Sequence, residues 1–146
     1  MEDFRPPKEL RRGRQNIQKQ INNPFMQFLR WSCKKLLDSP NHSVLSLVVP
    51  LSFLEAESYK YARKYLCENF SDAWIVSVDA DARTGARSDS LFHTLQGRAV
   101  IVLTRKYRDD TSITKLHYCD YSHCMRINKE QLLNESIEKI VSRFDT

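Results

Sequence analysis

The stretch SVLSLVVPLSFLEAESYKYARKYLCENFSDAWIVSVDA, Ser43 to Ala80, decides the fold of this chain. Apolar residues crowd both faces of Ser43–Pro50, which predicts a strand buried on both sides, as in a sheet covered by helices. Ser52 with Glu55 three residues later forms a capping-box pattern, so a helix is expected to start there. Tyr59, Ala62, Leu66 and Phe70 are spaced for its inner face. Asp72–Ala80 is again apolar and predicts a second strand. A right-handed crossover makes the two strands parallel. Units of this kind commonly serve enzymes that hold a nucleotide-like cofactor.

Working outward, Asn23 is a cap candidate and Pro24 suits a first helical position. Phe25, Phe28, Leu29, Cys33, Leu36 and Leu37 then share one helical face, and Ser39–Asn41 stop the helix. Downstream, Arg98–Tyr107 reads as a third strand, and residues 114–122 alternate like a fourth, edge-type strand. The amphipathic run Asn128–Phe144 predicts one last helix carrying Leu132, Leu133, Ile137, Ile140 and Val141 on one face. The order is helix, strand, helix, strand, long loop, strand, strand, helix, an α/β layer arrangement. Residues 1–22 are polar and basic and are expected to form a flexible arm, with residues 23–146 as a single α/β domain.

The 146 residues suit one domain, and an apolar share of 41% with 28% charged residues suits a globular protein. No apolar run approaches the roughly 18 residues of a membrane helix. The polar start gives no sign of a secretory signal, so a cytoplasmic protein without a membrane partner is expected. Cys33, Cys67, Cys119 and Cys124 are then read as thiols, the first two as small buried apolar residues.

The net charge of +5 is unevenly spread. Arg11, Arg12 and Arg14 lie in the arm, and Arg83, Arg87 and Arg98 flank the long loop after the second strand. These six are the candidate nucleic-acid-binding residues, because guanidinium groups pair with phosphates. The same arginines also fit a solvated arm and a loop held by local Asp–Arg pairs. A metal site is conceivable from Asp79, Asp81 and Asp89, but local pairing with arginine is the expected use of these acids. His117, Cys119, His123 and Cys124 are zinc-ligand types without the paired spacing zinc sites use, so no metal is expected. Strand alternation would put His117 and Cys119 on one face. Cys67 has no base nearby in sequence and is not expected to be a nucleophile. Nor does the chain show a Gly-rich turn after an apolar strand: its three glycines are Gly13, Gly85 and Gly97.

Taken in order, the segments PFMQFLRWSCKKL, VVPLSFL, ARKYL, WIVSVDADARTGARSDSLF, AVIVLTRK and KLHYCDYSHCMRINKEQLL resemble the later half of the catalytic domain in large adenine-N6 DNA methyltransferases of restriction-modification systems. The likeness spans about residues 22–140 and is strongest to single-chain enzymes that fuse helicase or nuclease parts to the methyltransferase, and to their stand-alone relatives. It implies a partial Rossmann-like methyltransferase sheet with helices on both faces. The Arg98–Tyr107 strand is expected to be antiparallel between two parallel strands, and residues 108–146 to lead toward a following domain.

The family binds S-adenosylmethionine through a Gly-rich turn and holds a flipped adenine with an Asn/Asp-Pro-Pro-aromatic tetrad. Neither motif is found in this chain: NNPF at Asn22–Phe25 has one proline where the tetrad needs two and reads as a helix cap. The resemblance therefore implies a methyltransferase fragment with no catalytic or cofactor-binding residues of its own, inactive alone. DNA, the missing N-terminal half of the enzyme, or a second copy meeting an exposed strand edge are the expected partners. A small basic nucleic-acid-binding protein, or the complementing half of a split methyltransferase, are the alternatives.

Overall fold

The computed structural model describes residues 2–11, 21–40, 42–84, 89–105 and 114–144. Asn23 caps the first helix, α1 (Pro24–Asp38), by accepting a hydrogen bond from Met26 N. Strand β1 (Val44–Pro50) follows, then a single turn α2 (Ser52–Glu55) and the helix α3 (Lys60–Asn69). Strand β2 (Phe70–Asp79) leads through the loop to β3 (Arg98–Arg105) and β4 (Lys115–Asp120). The chain closes with α4 (Arg126–Leu133) and α5 (Ile137–Val141).

The strands form one mixed sheet in the order β1-β3-β2-β4. β3 runs antiparallel to both β1 and β2, whereas β2 and β4 are parallel. The antiparallel strand thus lies between two parallel ones, as the resemblance implies. Strand periodicity divides the sheet cleanly. Leu45, Leu47 and Val49, Ala99, Ile101 and Leu103, and Ala73 and Ile75 point to one face, where α1, α2 and α3 pack. The C-terminal helical segment reaches the other face through Phe144, whose ring meets Trp74 edge-on at 5.0 Å. Among the described residues the inner face beyond α3 is open toward β4, leaving an apolar groove of about 400 Å³ bordered by Leu66, Leu116 and Tyr118.

β1 is not buried on both sides: it is an edge strand, and Val44 and Val48 are 63% and 47% exposed. Its apolar composition reflects one packed face and one uncovered face. Phe28 is also exposed, stacked on Trp31 at 5.9 Å, while Met26, Leu29, Ser32 and Cys33 form the buried stripe of α1. The helix expected to start at Ser52 is broken at Ala56, whose ψ of 136° is extended. Arg63 makes the break tolerable, because its guanidinium donates to the carbonyls of Phe53 and Ala56 at 2.8 and 2.9 Å. The capping box does not form, since Ser52 is already helical, and Phe70 opens β2 instead of closing the helix. The last helix is two, parted at residues 134–136.

Phe4, within the stretch expected as a free arm, is fully buried and packs edge-on against Tyr65 of α3 at 5.3 Å. Ile21 is likewise in the core, while residues 12–20 lie outside the described residues. Cys33 is buried, which pushes its thiol up to about 12, but Cys67 is exposed. No helix among the described residues is long and apolar enough to cross a membrane.

Candidate nucleic-acid interface at the end of the sheet

β2 delivers its last residue, Asp79, into the interior, where its side chain is 0% exposed. A carboxylate there needs full compensation. Leu91 N donates to Oδ1 at 2.9 Å and Phe92 N to Oδ2 at 3.2 Å. Ser90 Oγ donates at 2.9 Å, and Lys129 Nζ reaches Oδ1 at 3.0 Å from α4. Burial pushes the Asp79 carboxyl up, but the Leu91 amide, Lys129, Ser90 and the Phe92 amide together hold it below its ordinary range. Lys129, 1% exposed, also donates to Asp89 O at 3.0 Å. One buried ion pair therefore ties β2, residues 89–92 and α4 to a single point.

The loop above is held in register by further contacts. α4 has no side-chain cap of its own at Met125; the amide of Arg126 is instead bonded by Asp89 Oδ2 at 3.0 Å. Arg126 also donates to Glu130 Oε1 at 2.6 Å and to His93 Nε2 at 2.8 Å, and His93 sits in the left-handed region with φ 53°. Gly97 passes between the exit of β2 and the end of β1. A Cβ there would lie 2.8 Å from Asp79 O and 3.0 Å from Leu51 Cβ, so only glycine fits. The outcome is a braced platform with Phe92, Leu95, Met125 and Ile127 on its exposed surface.

The six candidate arginines are not brought together as one described cluster. Arg83 and Arg98 share this end of the sheet. Arg83 is clamped by the Asp81 carboxylate, with Nε at 2.9 Å, and Asp81 is thereby held down to about 2. Arg98 donates to Gln96 Oε1 at 2.8 Å. Arg11 is in the N-terminal segment packed by α3, paired with Glu2 at 2.8 Å. Arg12, Arg14 and Arg87 lie outside the described residues.

Asp79, Asp81 and Asp89 do not converge on a common point. Each carboxylate has its own partner, namely Lys129, Arg83 and the Arg126 amide. Among the described residues no three or more of His, Cys, Asp and Glu are grouped to hold a metal. His117 and Cys119 do share the outer face of β4. His117 lies flat on Trp74 at 3.8 Å and 3.4 Å from Asp72 Oδ1. Sequence reasoning missed Lys129, and its only local signal was a lysine inside an amphipathic helix. The arrangement offers charge, hydrogen bonding and exposed apolar surface, which suit binding.

No protein-family model matches the chain, and no curated protein matches it. Solved structures do. The chain is similar to the ATP-dependent Type ISP restriction-modification enzyme LlaBIII bound to DNA, with TM-score 0.67 and 22% identity over 83% of this chain and 8% of that one. It is similar to DrdV in its DNA complex, with TM-score 0.68 and 20% identity over 89% of this chain and 14% of that one. A nuclease-deletion mutant of the Type ISP enzyme LlaGI, in complex with a DNA substrate mimic, gives TM-score 0.64 and 22% identity over 78% and 9%. The chain therefore shares the fold of one part of each and spans about a tenth of their length.

Proposed function

We propose that the chain corresponds to the later half of the catalytic domain of an adenine-N6 DNA methyltransferase from a restriction-modification system, and that by itself it neither binds S-adenosylmethionine nor transfers a methyl group. The observation that carries this reading is the strand order β1-β3-β2, with β3 antiparallel between two parallel neighbours. The ordered motifs of the sequence imply the same arrangement. Similarity to three restriction-modification enzymes in complexes with DNA or a DNA mimic supports it.

The described residues offer no open glycine turn of the kind that would hold the cofactor. Gly97 is the glycine among the described residues, and it is closed in by Asp79 O, Asp81 N and Leu51 rather than open to a ligand. What this chain supplies is a surface for DNA, with Arg83 and Arg98 beside the braced loop as its phosphate contacts; Arg11 lies apart in the N-terminal segment, and Arg12, Arg14 and Arg87 are outside the described residues.

Isothermal titration with S-adenosylmethionine tests the first half, with no heat of binding expected; micromolar binding overturns it. Gel retardation of duplex DNA across a salt series tests the second. Replacing Arg83 and Arg98 by alanine is expected to weaken retardation and flatten the salt slope, by about 0.9 per lost phosphate contact. No retardation even at low salt removes DNA as the ligand of this surface.

A further inference from the structure

β1 is one of the two edge strands of the sheet, unpaired on its outer side among the described residues, and its pattern is that of a strand made to meet itself. The amide of Arg105 donates to Ser43 O and that of Leu51 to Gly97 O, so the odd-numbered residues of β1 turn their backbone groups toward β3. The N–H and C=O groups of Val44, Ser46 and Val48 consequently face outward along the free edge. Proteins usually blunt such an edge with a charge, a bulge or a proline. Here Val44–Val49 carries no charge, the register with β3 has no bulge, and Pro50 removes a donor only at the far end.

We propose that this edge pairs with the same edge of a second copy, antiparallel about a two-fold axis at Ser46. The sequence Val44-Leu45-Ser46-Leu47-Val48 reads the same in both directions. In that register every cross-strand pair is like with like: Ser46 on its own copy, Val44 on Val48, and Leu45 on Leu47. Val44, Ser46 and Val48 each gain a donor and an acceptor. Leu45 and Leu47 meet in the close, non-hydrogen-bonded positions on the inner face. The interface is self-complementary, as a two-fold contact must be.

The layer above supports the same occupant. α1 packs over β1 and α3 over β2, so the flank of α1 turned away from α3 overhangs the open edge. Arg30 marks the α3 side, through Asp3 and the Tyr65 ring. Phe28 stands about 200° around the helix from it. Phe28, 52% exposed and stacked on Trp31, thus adds apolar surface on that flank. The pairing does not depend on the methyltransferase reading.

The test is sedimentation equilibrium of the full chain over a concentration series, beside Ser46→Lys and Ser46→Thr. Ser46 is solvent-facing in one copy, so lysine leaves the fold intact, which circular dichroism checks. Across the axis two ammonium groups would stand face to face. Wild type and Ser46→Thr are expected to form dimers, with the dissociation constant of Ser46→Lys raised more than about tenfold. A monomer throughout, or a dimer indifferent to Ser46→Lys, overturns the pairing; the monomer leaves the edge to a strand of another chain.

Discussion

Asp79 at the end of β2 and Lys129 in α4, fifty positions apart, form an ion pair at 3.0 Å with both side chains sealed from solvent. The pair fastens residues 89–92 and α4 to the end of β2, an interior strand of the sheet. Its importance lies less in the attraction itself than in the cost of leaving either member buried alone.

Lys129→Met is expected to destabilise the fold by about 3–5 kcal/mol, because it strands a buried carboxylate. Asp79→Leu with Lys129→Met recovers only part of that loss. The amides of Leu91 and Phe92 then lack their acceptor, which costs about 1–3 kcal/mol. Urea denaturation measures both. The pH dependence has a definite sign. The folded carboxyl lies below its ordinary value of 3.8, so its contribution is complete above the usual carboxylate range and is lost as pH falls through the folded value. Wild-type stability should therefore drop below about pH 4, and Asp79→Asn should flatten that drop.

Gly97→Ala is expected to cost about 1–3 kcal/mol. Two of the three atoms nearest its new Cβ are backbone, Asp79 O and Asp81 N, and cannot rotate away. Because Gly97 O also accepts from Leu51 N, the substitution should loosen both the loop and the end of β1. A thermal melt gives the stability change, and amide hydrogen exchange at Leu51 gives the local one. Wild-type protection at that amide would show that the strain is absorbed elsewhere.

Phe4→Ala is expected to destabilise by about 3–5 kcal/mol, the loss usual for emptying a buried aromatic site. A free arm would lose nothing. Denaturant midpoints therefore measure how firmly the N-terminal segment is docked on α3.

The elements legible in the sequence were those set by local chemistry. Asn23 and Pro24 start α1 because the cap and the missing amide act within one turn. β2 and β3 arise from apolar runs in register with a strand's two-residue repeat. The antiparallel insertion of β3 was anticipated through the resemblance in motif order, since periodicity carries no information on strand direction.

The succession of helices and strands, and much of which side of each is apolar, thus follows from local residue order. Which apolar side is covered follows from packing between elements far apart in the chain. Val44 and Phe28 look like core residues in one dimension, yet they are 63% and 52% exposed. Only the tertiary structure broke the helix at Ala56, where Arg63 supplies the donors, and joined Asp79 to Lys129. Burial and ion pairing depend on distances across the fold, and the spacing of residues along the chain does not encode them.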